Sequence, residues 1–72
     1  MTIYLRDENY NWKAFECESI DSMAQEFQAR KITIGDDASI GNRASIGYRA
    51  SIGDGASIGN DATIGDGASI GN

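Results

Sequence analysis

The chain has 72 residues with no His, no Pro, one Cys and nine Gly, and 11 acidic against 6 basic side chains give a net charge of −5. A chain of this length is one domain at most, and below about 70–80 residues one hydrophobic core rarely supplies more than about 3–5 kcal/mol, so a staple is expected. One Cys closes no internal disulfide, the lack of His removes the usual zinc spacings and the commonest general base, and no Lys/Arg cluster is present to track a phosphate backbone.

Thr2 to Arg6 alternates Ile3 and Leu5 with Tyr4 and Arg6, and Trp12 to Glu18 sets Phe15 and Cys17 against Trp12, Ala14 and Glu16. Both stretches read as strands, joined as a hairpin across the polar Asp7-Glu8-Asn9-Tyr10-Asn11 segment. Ser19 stands where an N-cap belongs, and Ile20, Met23, Ala24 and Phe27 come after it at helical spacing, with Asp21 in the first turn and Arg30 and Lys31 in the last. Residues 1–33 contain no Gly and hold every aromatic residue except Tyr48. They read as a ββα segment that caps the Gly-rich stretch beginning at residue 34.

From residue 34 a period of six takes over. Ile34, Ile40, Ile46, Ile52, Ile58, Ile64 and Ile70 are each followed by Gly, and the fourth residue after each of the first six is Ala, followed by Ser or Thr. An amphipathic helix repeats its apolar residues at three and four, and a plain strand at two, so a period of six suits a short strand plus a corner. In the unit Ile-Gly-x-x-Ala-Ser, Ile points inward, Ser outward, and the x-x pair turns the corner, where Gly, Asn and Asp tolerate left-handed backbone. Gly53-Asp54-Gly55 and Gly65-Asp66-Gly67 read as corners rather than phosphate loops, and Cys17 as a packing thiol.

Residues 34–72 resemble the hexapeptide-repeat family, whose fold is a left-handed parallel β-helix with three hexapeptides per triangular coil. The resemblance implies a mainly β fold of about two coils with an N-terminal ββα cap, residues 1–33 and 34–72 together forming one compact domain. Stacked coils would lie roughly 4.8 Å apart, as neighbouring strands do. Family members include acyltransferases with a catalytic His at a subunit interface. No position here can receive that role, so no enzyme activity, cofactor or metal is expected.

The pattern stops at Ile70-Gly71-Asn72 without a charged, aromatic or helical terminator. Solenoids hide such an apolar cross-section, so a homo-oligomer is expected, built through the C-terminal coil with Ile58, Ile64, Ser69, Ile70 and Asn72 at the interface. A two-fold dimer is favoured because the ββα segment blocks the other end, and the family's side-by-side trimer is the competing geometry.

At eighteen residues per coil, corner positions stack as Asp36, Asp54 and Asn72; Asn42 and Asn60; Arg43 and Asp61; Tyr48 and Asp66; Arg49 and Gly67. An Arg43–Asp61 ion pair is expected. Tyr48 and Arg49, beside Arg43, form an aromatic and basic cluster able to hold a carboxylate or phosphate. Asp54, Asp61 and Asp66 have no basic residue after position 50 to oppose them, so they form an acidic end suited to the basic groove of a protein target. The functional expectation is a non-catalytic, self-associating module that binds a macromolecular partner or small ligand. One alternative is a small acidic inhibitor, phage- or mobile-element-borne, that mimics DNA against a host nuclease or defence complex. Another is a truncated relic of a hexapeptide acyltransferase. With no apolar run near 18 residues and no basic leader, a cytoplasmic location without membrane or direct nucleic-acid contact is expected.

Overall fold

In the computed structural model, which describes residues 1–71, β1 (Thr2–Arg6) and β2 (Trp12–Glu16) pair antiparallel, with Ile3 opposite Phe15 and Leu5 opposite Lys13. Ile3 and Leu5 are fully buried while Tyr4 and Arg6 are only half so, as their alternation requires. β2 ends at Glu16, short of Glu18, with Cys17 still held in the antiparallel register opposite Met1: its N–H donates to the Met1 carbonyl at 2.9 Å and its carbonyl accepts from the Met1 ammonium at 2.7 Å. Asp7 organises the connecting turn. Its Oδ1 accepts the N–H groups of Asn9 and Asn11 at 2.9 and 3.0 Å, and Tyr10 adopts a left-handed φ of 63°.

The helical segment departs from the sequence reading at its start. Ser19 has the extended backbone of an N-cap but makes no capping bond from its side chain; its carbonyl instead accepts from the Ser22 hydroxyl at 2.7 Å. The first turn, Ile20–Met23, is therefore a 3₁₀ turn, and α1 spans only Ala24–Ala29. Its end is a Schellman arrangement, with Ile32 N–H donating to Phe27 O at 2.9 Å and Lys31 N–H to Gln28 O at 3.0 Å. Lys31 takes the left-handed position at φ 58°, and Phe27 and Ile32 are both buried in the core.

Each repeat contributes one two-residue strand: β3 (Thr33–Ile34), β4 (Ser39–Ile40), β5 (Ser45–Ile46), β6 (Ser51–Ile52), β7 (Ser57–Ile58), β8 (Thr63–Ile64) and β9 (Ser69–Ile70). The strands pair in parallel at an offset of eighteen residues: Thr33 with Ser51 and Ser51 with Ser69, Ser39 with Ser57, Ser45 with Thr63. Three sheets result, ordered β3-β6-β9, β4-β7 and β2-β1-β5-β8. The chain is thus mainly β with one short helical segment.

β1 joins the repeat by imitating it. Tyr4 and Leu5 pair in parallel with Ser45 and Ile46, so the hairpin occupies the place a preceding strand would take beside β5. The imitation includes a Thr2 N–H donated to Asn42 Oδ1 at 2.8 Å, a bond type that recurs along the repeat. Ile3, Leu5, Met23, Phe27 and Ile32 from the first part pack into one core with Ile46 and Ile52, which are 0 and 1% exposed. Burying each such side chain is worth about 1.5–3 kcal/mol. The small residues of the unit have a steric role as well: a Cβ added to Gly47 would stand 2.5 Å from the backbone nitrogen of Asp66, leaving no room for any other residue.

Candidate functional site

Three corner residues that come after a Gly bond backwards along the stack. Asp54 Oδ1 accepts the Asp36 N–H at 2.7 Å, Asn60 Oδ1 the Asn42 N–H at 2.8 Å, and Asp66 Oδ1 the Tyr48 N–H at 2.9 Å. These side chains therefore satisfy a backbone donor that the two-residue strands leave unpaired. The next corner residue turns the chain in left-handed geometry, at Asp37, Arg43, Arg49, Gly55, Asp61 and Gly67, with φ between 61° and 72°.

The register divides the expected site residues among three corners. Asp54 stacks with Asp36, Arg43 lies with Asp61, and Tyr48 and Arg49 lie with Asp66. Arg43 is thereby separated from Tyr48 and Arg49 by a whole strand, β5. Arg43 and Asp61 form no ion pair among the described residues; both are exposed, where such a pair is worth about 0–1 kcal/mol and has little to hold it together. The acidic end is also less bare than its sequence implies. Asp66 Oδ2 meets Arg6 Nη1 at 3.2 Å, a cation from β1 that lies sixty positions earlier in the chain.

The third corner is concave. Tyr10, Tyr48, Arg49, Asp66 and Gly67 line a hollow of about 450 Å³. Arg6 braces two of the lining residues, Tyr10 and Asp66: its guanidinium lies 5.1 Å from the Tyr10 ring centre and 5.4 Å from that of Trp12, and its Nε donates to the Tyr10 carbonyl at 3.2 Å. Arg49 is fixed from behind by its N–H, donated to the Arg30 carbonyl at 3.1 Å, while its guanidinium has no ion-pair partner among the described residues. Tyr10 and Arg6 were not legible as site residues. The signal that points to them is the aromatic, left-handed hairpin turn, whose position over the third corner only the β1–β5 pairing fixes.

A second hollow of about 600 Å³ lies between the helical segment and the first corner, with Asp21, Asp36 and Asp37 at its rim and Ile20, Phe27 and Ile34 on its floor. Asp7 stands apart from both. Hydrogen bonding from the Asn11 N–H, together with that from Asn9 and the charge of Arg30, outweighs desolvation and holds its carboxyl below the ordinary aspartate value of 3.8.

Of the residues expected at an interface, Ile58 and Ile64 are each 7% exposed, Ile70 is half-buried, Ser69 is exposed, and Asn72 lies outside the described residues. Among the described residues no helix is long and apolar enough to cross a membrane. The chain matches no curated protein and no solved structure. The family model for the bacterial transferase hexapeptide (six repeats) does match, over residues 31–66, which is half of the chain. The Ile-Gly periodicity, the parallel pairing at eighteen residues and this match agree: the chain belongs to the bacterial transferase hexapeptide family.

Proposed function

We propose that these 72 residues form a left-handed parallel β-helix of about two coils, capped by the ββα segment of residues 1–33, and that the module is non-catalytic and acts by binding. One observation carries this reading. The outward groups of the repeat are spent on building a rigid edge, through the Asp54, Asn60 and Asp66 bonds to the preceding corner, and what remains outward at the third corner is an arginine among aromatic rings. Tyr, Trp and Arg are the residues that most often anchor interfaces. With no His in the sequence, the catalytic His of the family's acyltransferases has no counterpart here.

Self-association belongs to the same proposal, because a 72-residue polypeptide with a single core is of the size that usually needs a partner. With Ile58 and Ile64 already turned into the core, a contact through the C-terminal coil would use its strand edges and Ile70 more than those two side chains. The inhibitor that imitates DNA gains little: Asp66 is neutralised by Arg6, and Asp54 gives one oxygen to a backbone donor.

Light scattering at micromolar concentration, with titrations of free CoA, tests the proposal. A dimer or trimer that ignores CoA is expected. CoA binding would favour the acyltransferase relic, a clean monomer would remove self-association, and salt-sensitive binding to a basic protein would favour the mimic.

A further inference from the structure

We infer that the hollow at the third corner is a binding site for a small arene carboxylate, an assignment that rests on the binding reading above and names its ligand class. Charge sets the first requirement. Arg6 and Asp66 cancel each other at 3.2 Å, so the lining keeps one uncompensated charge, the guanidinium of Arg49. One planar cation matches one monoanion; a carboxylate fits its fork in bidentate fashion, whereas a doubly charged phosphate would remain half neutralised.

Shape sets the second requirement. Tyr10 and Tyr48 supply ring surface on the walls, and Tyr10 is 60% exposed, so its ring is available to a ligand. The hollow, about 450 Å³ and open to solvent, has room for a substituted ring. Gly67, which also lines the hollow, has no side chain to occupy it: a Cβ placed there would touch nothing within 4 Å.

The site is also held in place before any ligand arrives. Asp66 is pinned through Oδ1 by the Tyr48 N–H and through Oδ2 by Arg6, while Arg6 is fixed by the Tyr10 carbonyl and the flanking rings. Arg49 keeps a left-handed φ of 64° at the position where the next coil has Gly67.

Trp12 is the single Trp of the chain and stacks on Arg6, so its fluorescence reports on the site without a label. The probe is phenylacetate, titrated with fluorescence and amide chemical shifts as readouts, against acetate, which has the charge without the ring, and phenylethylamine, which has the ring with the opposite charge. Saturable shifts at Tyr48, Arg49 and Gly67 with phenylacetate alone are expected. Arg49→Asn, which suits the left-handed backbone, is expected to weaken binding about tenfold or more, the loss of a charge-assisted hydrogen bond. Tyr10→Asn should weaken it too, whereas Arg43→Asn, at the second corner, should leave it unchanged. Equal binding of phenylethylamine, no saturable shift with phenylacetate, or an Arg49→Asn variant that binds as well as the parent would each overturn the assignment. Folding of every variant is read from the same amide spectra. The CoA and light-scattering outcomes are independent of these, so failure here and failure of the non-catalytic module are told apart.

Discussion

Asp66 accepts the backbone N–H of Tyr48, eighteen residues earlier, at 2.9 Å. The same bond joins Asp54 to Asp36 and Asn60 to Asn42, and its forerunner joins Asn42 to Thr2. A short polar side chain at the first corner position thus takes the donor that a strand of two residues leaves free, and it does so with a carbonyl or carboxylate oxygen alike.

Asp66→Asn therefore keeps the acceptor and loses only the Arg6 pair, in which the two side chains are 32% and 28% exposed. Its cost is expected to be within about 1 kcal/mol, since partly exposed pairs contribute little. Asp66→Ala also leaves the Tyr48 N–H without its partner and should cost about 1–2 kcal/mol, in the range of a lost helix cap. Urea unfolding of the two variants separates these contributions. Equal costs would mean that the ion pair, not the backbone bond, holds the corner.

Gly47→Ala and Gly65→Ala form a second pair. A Cβ at Gly47 would meet Asp66 and Gly65 at 2.5–2.6 Å, largely rigid backbone, so a loss of at least about 1–3 kcal/mol is expected. A Cβ at Gly65 meets nothing within 4 Å, and its effect on unfolding should stay within about 0.5 kcal/mol. If copies associate by stacking on the C-terminal coil, the same Gly65→Ala should lower the oligomer mass in light scattering while sparing the fold. An unchanged mass would place the contact elsewhere.

The corner backbone makes a third prediction. Gly55 has a φ of 72° with open space around its Cα, so Gly55→Ala should cost about 1 kcal/mol through conformation alone. Arg43, with φ 65°, carries that cost already, and Arg43→Gly is expected to be neutral or slightly stabilising, the relief of strain being offset by a freer unfolded chain. Thermal unfolding decides both signs. A destabilised Arg43→Gly would reveal a contact of the Arg43 side chain.

Acid should loosen the hairpin turn. The Asp7 carboxyl lies below its ordinary value in the folded chain because the carboxylate accepts the Asn11 and Asn9 N–H groups. A depressed folded pKa means that the contribution is fully present above the unfolded value, near 3.9, and is lost as the pH falls from there through the lower folded value. Asp7→Asn should flatten this part of the pH profile, and a carboxyl ¹³C titration should place Asp7 below the ordinary aspartate value of 3.8. An ordinary titration of Asp7 would contradict the turn geometry.

Much of the fold is legible in the sequence because a period of six leaves few alternatives. Ile at every sixth residue, with Gly after it and Ser or Thr before it, selects short strands with one inward residue, and the two alternating runs Thr2 to Arg6 and Trp12 to Glu18 select a hairpin, whose second strand ends at Glu16 in the structure. The start of the helix differs from the sequence expectation for a local reason: Ser19 has the cap backbone, but its hydroxyl forms no cap, and the first turn tightens to 3₁₀ geometry. The site is half legible. Spacing along the chain groups Tyr48 and Arg49 with Arg43, but residues one repeat apart in sequence sit on different edges in space, and only residues eighteen apart are neighbours.

The sequence by itself determined the repeat, the inward Ile and Ala, the corner positions and the lack of His, because each is set by side-chain type and spacing along one chain. The tertiary structure decided which outward groups are free. Asp66 is engaged because β1 docks beside β5 and brings Arg6 within 3.2 Å of it, and the same docking sets Tyr10 over the third corner. That contact joins residues sixty positions apart, and no periodic pattern links Arg6 to Asp66, so it could be read only once the hairpin had taken its place in the ladder.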